Sequence, residues 1–146
     1  TTTAQGTRTP IRIQIVNPDG LYDPAPNGYS HSIVASGGTH IAHIAGQGGE
    51  DATGALAPDP VAQMAQAFDN LRTAILGVGG EPRNVTKINT YFVDYDPSLL
   101  APLGAEIQRL FGTHLPAQTL VPVPRLALDG MLFEIDATLI LDRADP

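Results

Sequence analysis

The sequence predicts an α+β layer, a sheet with its helices on one side, and three observations carry that expectation. From Leu132 the last strand alternates, with Phe133, Ile135, Ala137, Leu139 and Leu141 on one face and Leu132, Glu134, Asp136 and Thr138 on the other. Two separate segments carry apolar stripes at three- and four-residue steps, and both stripes need a sheet face to cover. Two apolar runs, His31 to Ser36 and Thr39 to Gln47, flank Gly37-Gly38, the pairing that supplies positive φ to a tight hairpin turn. The sheet face opposite the helices, which holds Glu134 and Asp136, is then left without a cover.

Taken in order, Thr1 to Pro10 reads as a flexible or loosely docked arm. Ile11, Ile13 and Ile15 alternate with Arg12 and Gln14 as a half-buried strand, and Asn17-Pro18-Asp19-Gly20 turns the chain. Leu21 to Tyr29, rich in Pro, Gly and Asn, is a loop that delivers Tyr29 and Ser30 to the hairpin. Asp59 caps a helix with Pro60 at its first position, and Val61, Met64, Phe68, Leu71, Ile75 and Val78 form its stripe. Gly77, Gly79, Gly80 and Pro82 end it.

Val85 to Asp94 returns as a strand of β-branched and aromatic residues. Asp96-Pro97 opens a second helix with Leu100, Leu103, Ile107, Leu110 and Phe111 on its apolar side, and Pro102 is a candidate for its true start. A strand through Gln118 follows, in which Pro122 and Pro124, two apart, remove N–H groups from the same edge. Such an edge belongs at a sheet margin or subunit boundary, where clefts form. The last two strands are therefore expected to place Gln118 and Glu134 at one site. The competing reading is a solvated outer face for Glu134 and Asp136.

Composition narrows the function classes. The chain has 146 residues, enough for one domain with a real core. Only 16% are charged against 42% hydrophobic, where roughly 25% charged is usual, so part of the surface is expected to be buried in an oligomer. Net charge is −7, Lys87 is the sole lysine, and no basic cluster appears, which argues against nucleic acid as a partner. Without cysteine there is no disulfide, thiol nucleophile or thiolate metal site. No run reaches the roughly 20 apolar residues of a membrane helix, and a soluble, cytoplasmic protein is expected.

Other chemistries fit poorly. The GQGGEDATG loop lacks the Lys and Ser/Thr of a phosphate-binding loop, and its glycines are followed at once by the acids Glu50 and Asp51. His40 and His43, three apart on a strand, point to opposite faces and do not chelate, so no metal is expected. Ser30 has no evident base and acid partners for a triad, and Lys87 reads as a strand-surface residue.

GYSHSIV at 28 to 34, IAGQGG at 44 to 49, Gln63 with AFDNL at 67 to 71, VTKINTYFVD at 85 to 94, LPAQT at 115 to 119 and FEIDA at 133 to 137 together resemble the reactive intermediate deaminase A family, RidA/YjgF. The resemblance implies a chorismate-mutase-like fold with a mostly antiparallel six-stranded sheet and two helices on one face. It further implies a homotrimeric barrel whose intersubunit clefts hold a small-molecule substrate, with no cofactor. Family deaminases hydrolyse imines or enamines derived from amino acids. On that resemblance Glu134 positions water and Tyr29 closes the pocket as the catalytic pair, while Gln118, Leu120, Gly46 and Gln47 bind substrate.

Two positions depart from the family pattern. Gln118 stands where the deaminases have the arginine that grips a carboxylate, and Gly104 falls at or near the place of a common asparagine. An amide in place of guanidinium exchanges a charge-assisted bond of roughly 1.5–3 kcal/mol for one of roughly 0.5–1.5, so an altered substrate range is expected. Arg125 lies roughly 23 Å further along an extended strand and does not substitute for it. A RidA-like hydrolase of a small C–N electrophile leads. A non-catalytic ligand-binding or interaction protein on the same trimer is the alternative, and endoribonuclease activity is a third reading that the acidic composition opposes.

Overall fold

The structure is a computed structural model and describes residues 9–144. Most of the expected arm lies outside that range. Its described end, Thr9, is docked, accepting from Gly38 N at 3.0 Å. The elements are β1 (Arg12–Val16), β2 (Ser32–Ser36), β3 (His40–Gly48), α1 (Pro60–Gly77), β4 (Val85–Phe92), α2 (Leu100–Phe111), β5 (Ala117–Pro122) and β6 (Phe133–Leu141), with short 3₁₀ turns before α2 and β4 and in the 22–29 loop. Their order and kind are those the sequence predicts.

The six strands do not form one mostly antiparallel sheet. β1 and β2 pair antiparallel by themselves, and the larger sheet runs β3-β6-β4-β5, with β4 and β5 parallel. An isolated bridge, Ser30 to Ala117, links the segment just before β2 to β5. The Gly37-Gly38 pair has the positive φ its sequence implies, 72° at both residues, yet β2 and β3 are not hydrogen-bonded partners. Instead the pair turns the chain from one sheet into the other at a crowded corner. A Cβ on Gly38 would come within 2.7 Å of Leu141 O, and Thr39 N donates to that same carbonyl at 2.8 Å. Positive φ specifies a turn, and long-range pairing decides which strands the turn joins.

Helix α1 begins as its cap dictates, with the Asp59 carboxylate accepting from Val61 N and Ala62 N. Its buried side is Gln63, Met64, Ala67, Phe68, Leu71 and Ile75, whereas Val61, at the open end of the predicted stripe, is 43% exposed. Helix α2 starts at Leu100 rather than Pro102. Proline is compatible with the first helical turn because its missing N–H has no intrahelical acceptor there. Leu103, Ile107, Leu110 and Phe111 face the core, while Leu100 stays exposed.

Both helices cover one face of the four-stranded sheet, where Phe133, Ile135 and Leu139 of β6 and Ile88 and Phe92 of β4 are buried. Phe133 stacks on Phe68 with ring centroids 6.0 Å apart and meets Phe92 edge-on at 5.0 Å. Gln63, like Thr90, is a fully buried polar residue on this side. It donates to Ala57 O and Gly130 O and accepts from Leu132 N, tying the loop before α1 to the entry of β6. Among the described residues no helix is long and apolar enough to cross a membrane.

Candidate functional site

Strand β6 carries Glu134 and Asp136 on the sheet face turned away from the helices, between buried Phe133, Ile135 and Ala137. β4 lies beside it in a register that pairs Tyr91 with Glu134 and Asn89 with Asp136, so these four side chains share one face. Asp136 is held by three donors: Asn89 Nδ2 at 2.9 Å, Asn89 N at 3.2 Å and the Tyr91 hydroxyl at 3.0 Å. Burial, and then the Asp136 carboxylate, push the Tyr91 phenol above its ordinary range, so it remains a donor.

Glu134 is arranged differently. It is half-buried and takes no hydrogen bond from the described residues, and its side chain lies across Gly46. A Cβ on Gly46 would strike Glu134 Oε1 and come within 2.6 Å of its carboxyl carbon. The β3–β6 register shifts between Ile44 and Gln47, and this irregularity brings the glycine backbone under the acid. Burial raises the Glu134 pKa, and the nearby Glu50 and Asp136 charges raise it further. Gly46 forms the floor beneath this carboxyl. Gln47 turns back on its own strand, donating to Ala45 O at 3.1 Å.

Gln118 is elsewhere. The parallel register sets it opposite Ile88 and sets Leu120 opposite Thr90, and both Ile88 and Thr90 point into the helix-covered side. Gln118 Nε2 accordingly donates to the fully buried Thr90 Oγ1 at 3.1 Å. Within a single chain Gln118 and Glu134 therefore do not meet. They stand on opposite faces of the sheet with β4 between them. The cause is the parallel β4–β5 pairing, which no local pattern announces.

Gln118 and Leu120 instead line a cleft of about 720 Å³ with Tyr29, bounded by the start of α2 and by the 22–29 loop. Ser30 anchors that loop, its hydroxyl donating to Leu115 O at 2.6 Å and its N–H to Pro116 O at 3.1 Å, which sets Tyr29 beside β5. Tyr22 and Asn27 also line the cleft, and neither stands out in the sequence. The Tyr22 and Tyr29 hydroxyls are hydrogen-bonded, and both rings meet His31 edge-on at 5.2 and 5.5 Å. Gly104 borders the same cleft with open space where a side chain would grow.

β5 is the margin of the larger sheet, as its prolines require. Val123 N donates to Phe92 O, so strand alternation turns the N atoms of Pro122 and Pro124 outward. Arg125 lies past the strand and pairs with Asp129 at 2.9 Å, away from the cleft.

Residues 22–141 match the family model described as Endoribonuclease L-PSP. A crystal structure of a Rid-family protein of unknown function from Yersinia pestis superposes with a TM-score of 0.84 at 33% identity, covering 88% of this chain and 98% of that one. This protein belongs to the Rid/YjgF family. RidA from an Antarctic Psychrobacter is 28% identical with a TM-score of 0.64, over 77% of this chain and 88% of that one. A YjgF-family structure from Mycobacterium tuberculosis, 24% identical with a TM-score of 0.59 over 89% of this chain and 100% of that one, shares the fold. None of the curated proteins compared matches the sequence. In this Rid chain the FEIDA acid lies over the IAGQGG glycine, so two motifs far apart in sequence meet at one carboxyl group.

Proposed function

We propose that this Rid protein hydrolyses a small imine, enamine or related C–N electrophile, with Glu134 handling the water and the Gln118 cleft holding the substrate. The observation that supports it most is the Glu134 carboxyl itself: half-buried over Gly46, given no donor by the described residues, and raised in pKa by burial and by Glu50 and Asp136. A structural acid is expected to be tied down, as Asp136 is. One that takes no hydrogen bond from the described residues in a partly dry place, with its pKa raised, is suited to proton transfer.

In this reading the Glu134 carboxylate takes a proton from water as the water oxygen bonds to the C=N carbon, and passes that proton to the nitrogen to give a carbinolamine. Glu134 then takes the carbinolamine hydroxyl proton and delivers it to the nitrogen as the C=O bond forms and the C–N bond breaks, and a carbonyl compound and ammonia leave. Water supplies the new oxygen and two hydrogens, so no other reactant is needed.

Because Gln118 and Glu134 face opposite sides of the sheet, the complete site is assembled between copies, with the open face of one protomer closing the cleft of the next. A homotrimer of the kind the family resemblance implies satisfies this requirement. It also covers the exposed Ile41 on the open face, 69% accessible in the single chain. The alternative is a trimer that binds a small ligand in the same cleft without turnover.

The test is ammonia release from freshly generated 2-iminopropanoate by the natural protein, Glu134→Ala and Gln118→Arg. Activity that disappears in Glu134→Ala supports the mechanism. Activity seen only after Gln118→Arg supports the same machinery serving a different substrate. Silence from all three, with ligand still bound, favours the non-catalytic alternative.

A further inference from the structure

We infer that the cleft selects an uncharged ligand carrying an amide-like pair of donor and acceptor, and that Gln118, with Tyr22 at the mouth, makes that selection. The inference rests on the reading of this cleft as the ligand site and concerns which ligands enter it. Among the described residues no side chain lining the cleft is charged: its polar groups are Tyr22, Asn27, Tyr29, Gln118 and Thr119. A carboxylate entering would give up hydration with no cation in return.

Gln118 is built to read a neutral group. One of its amide N–H bonds is committed to Thr90 Oγ1, which is fully buried and so fixes the plane of the amide. Its second N–H and its carbonyl oxygen have no partner among the described residues, leaving one donor and one acceptor side by side. Another amide satisfies both at once. A carboxylate satisfies only the donor and sets an anionic oxygen against the Gln118 carbonyl.

Charges around the cleft act in the same direction. The Lys87 ammonium donates to Thr119 Oγ1 at 2.8 Å, but Lys87 alternates with Ile88 and so belongs to the open face, behind the strand from Gln118. That open face also carries Glu134 and Asp136, with Glu50 near enough to act on Glu134. When the open face of a second copy closes the cleft, its acids Glu134 and Asp136, with Glu50 beside them, outnumber its Lys87 ammonium, so on balance they disfavour an anion and leave a neutral ligand unaffected. Tyr22 adds a hydroxyl paired with that of Tyr29, at a position exposed enough to alter without disturbing the core.

The probes are pyruvamide and pyruvate, nearly the same shape and different in charge, titrated into the full-length protein by calorimetry or ligand-observed NMR. The natural protein is expected to bind pyruvamide at least about tenfold more tightly, the scale of one well-placed hydrogen bond with a neutral partner against an unpaired charge. Gln118→Arg is expected to invert the order, and Tyr22→Phe to weaken pyruvamide several-fold without improving pyruvate. Equal or tighter pyruvate binding by the natural protein, no binding of pyruvamide, or an unchanged ratio in both variants overturns the inference. If the preference holds while neither 2-iminopropanamide nor 2-iminopropanoate releases ammonia, the ligand class stands and the hydrolytic reading falls.

Discussion

The two faces of the β3-β6-β4-β5 sheet treat their polar groups in opposite ways. On the helix-covered face Gln63 and Thr90 are fully buried and each has a partner: Gln63 holds three backbone groups, and Thr90 receives Gln118. On the open face Asp136 is held by Asn89 and Tyr91, but Glu134, two residues earlier on the same strand, takes no donor from the described residues. Burial with satisfaction is what stability requires. Half-burial without it raises the pKa of a carboxyl and keeps that carboxyl available, which is what proton transfer requires. The difference separates residues that build this domain from the one proposed to carry its chemistry.

The largest expected effect breaks the covered face. Phe133 has no exposed surface and lies between Phe68 and Phe92, so Phe133→Ala is expected to cost about 3–5 kcal/mol in denaturant unfolding. A cost below about 1 kcal/mol would mean that the aromatic stack is not the centre of the core.

A smaller effect sharpens the open face. Gly46→Ala forces a methyl group into the Glu134 carboxyl and is expected to destabilise by about 1–3 kcal/mol. Most of that loss is expected to be recovered in the double variant with Glu134→Ala, since the two sites then no longer collide. Coupling near zero would mean that the carboxyl swings clear and that the glycine serves only the register shift.

The smallest effect is one of pH. A carboxyl whose folded pKa exceeds its unfolded value favours the folded state while it stays protonated and disfavours that state once it ionises. Stability from Glu134 should therefore fall as pH rises from the ordinary glutamate range through its raised folded value. Glu134→Gln is expected to be at least as stable as the natural protein at pH 7, and this relative gain should shrink below the ordinary range. Thermal melts of both proteins across pH 3 to 8 check this, and a variant less stable at neutral pH would give Glu134 a structural role.

Much of the open-face half of the site was legible before any coordinates. The period-two pattern of β6 placed Glu134 and Asp136 together, because strand alternation is local geometry. Their neighbours Asn89 and Tyr91 alternate with Ile88 and Thr90 on β4, a signal of the same kind that reading the strand for both faces would have found. The family resemblance rather than periodicity pointed to Gly46, and its contact with Glu134 depends on a register shift no spacing reveals. Tyr22 and Asn27 sit in a loop whose path is set by Ser30 bonding to Leu115 and Pro116, so their share in the cleft could not be read locally.

By itself the sequence determined what neighbouring residues decide. Asp59 and Pro60 start α1, Gly79 and Gly80 help end it, paired glycines turn the chain at 37 and 38, and alternation divides β6 into a buried and an open face. Caps, turns and strand alternation operate over a few residues, so they are written where they act. Only the tertiary structure decided that β2 and β3 belong to different sheets, that β4 and β5 run parallel, and that Gln118 and Glu134 face opposite ways. Strand pairing joins residues tens of positions apart through uniform backbone hydrogen bonds, and those bonds carry no local signature of their partner.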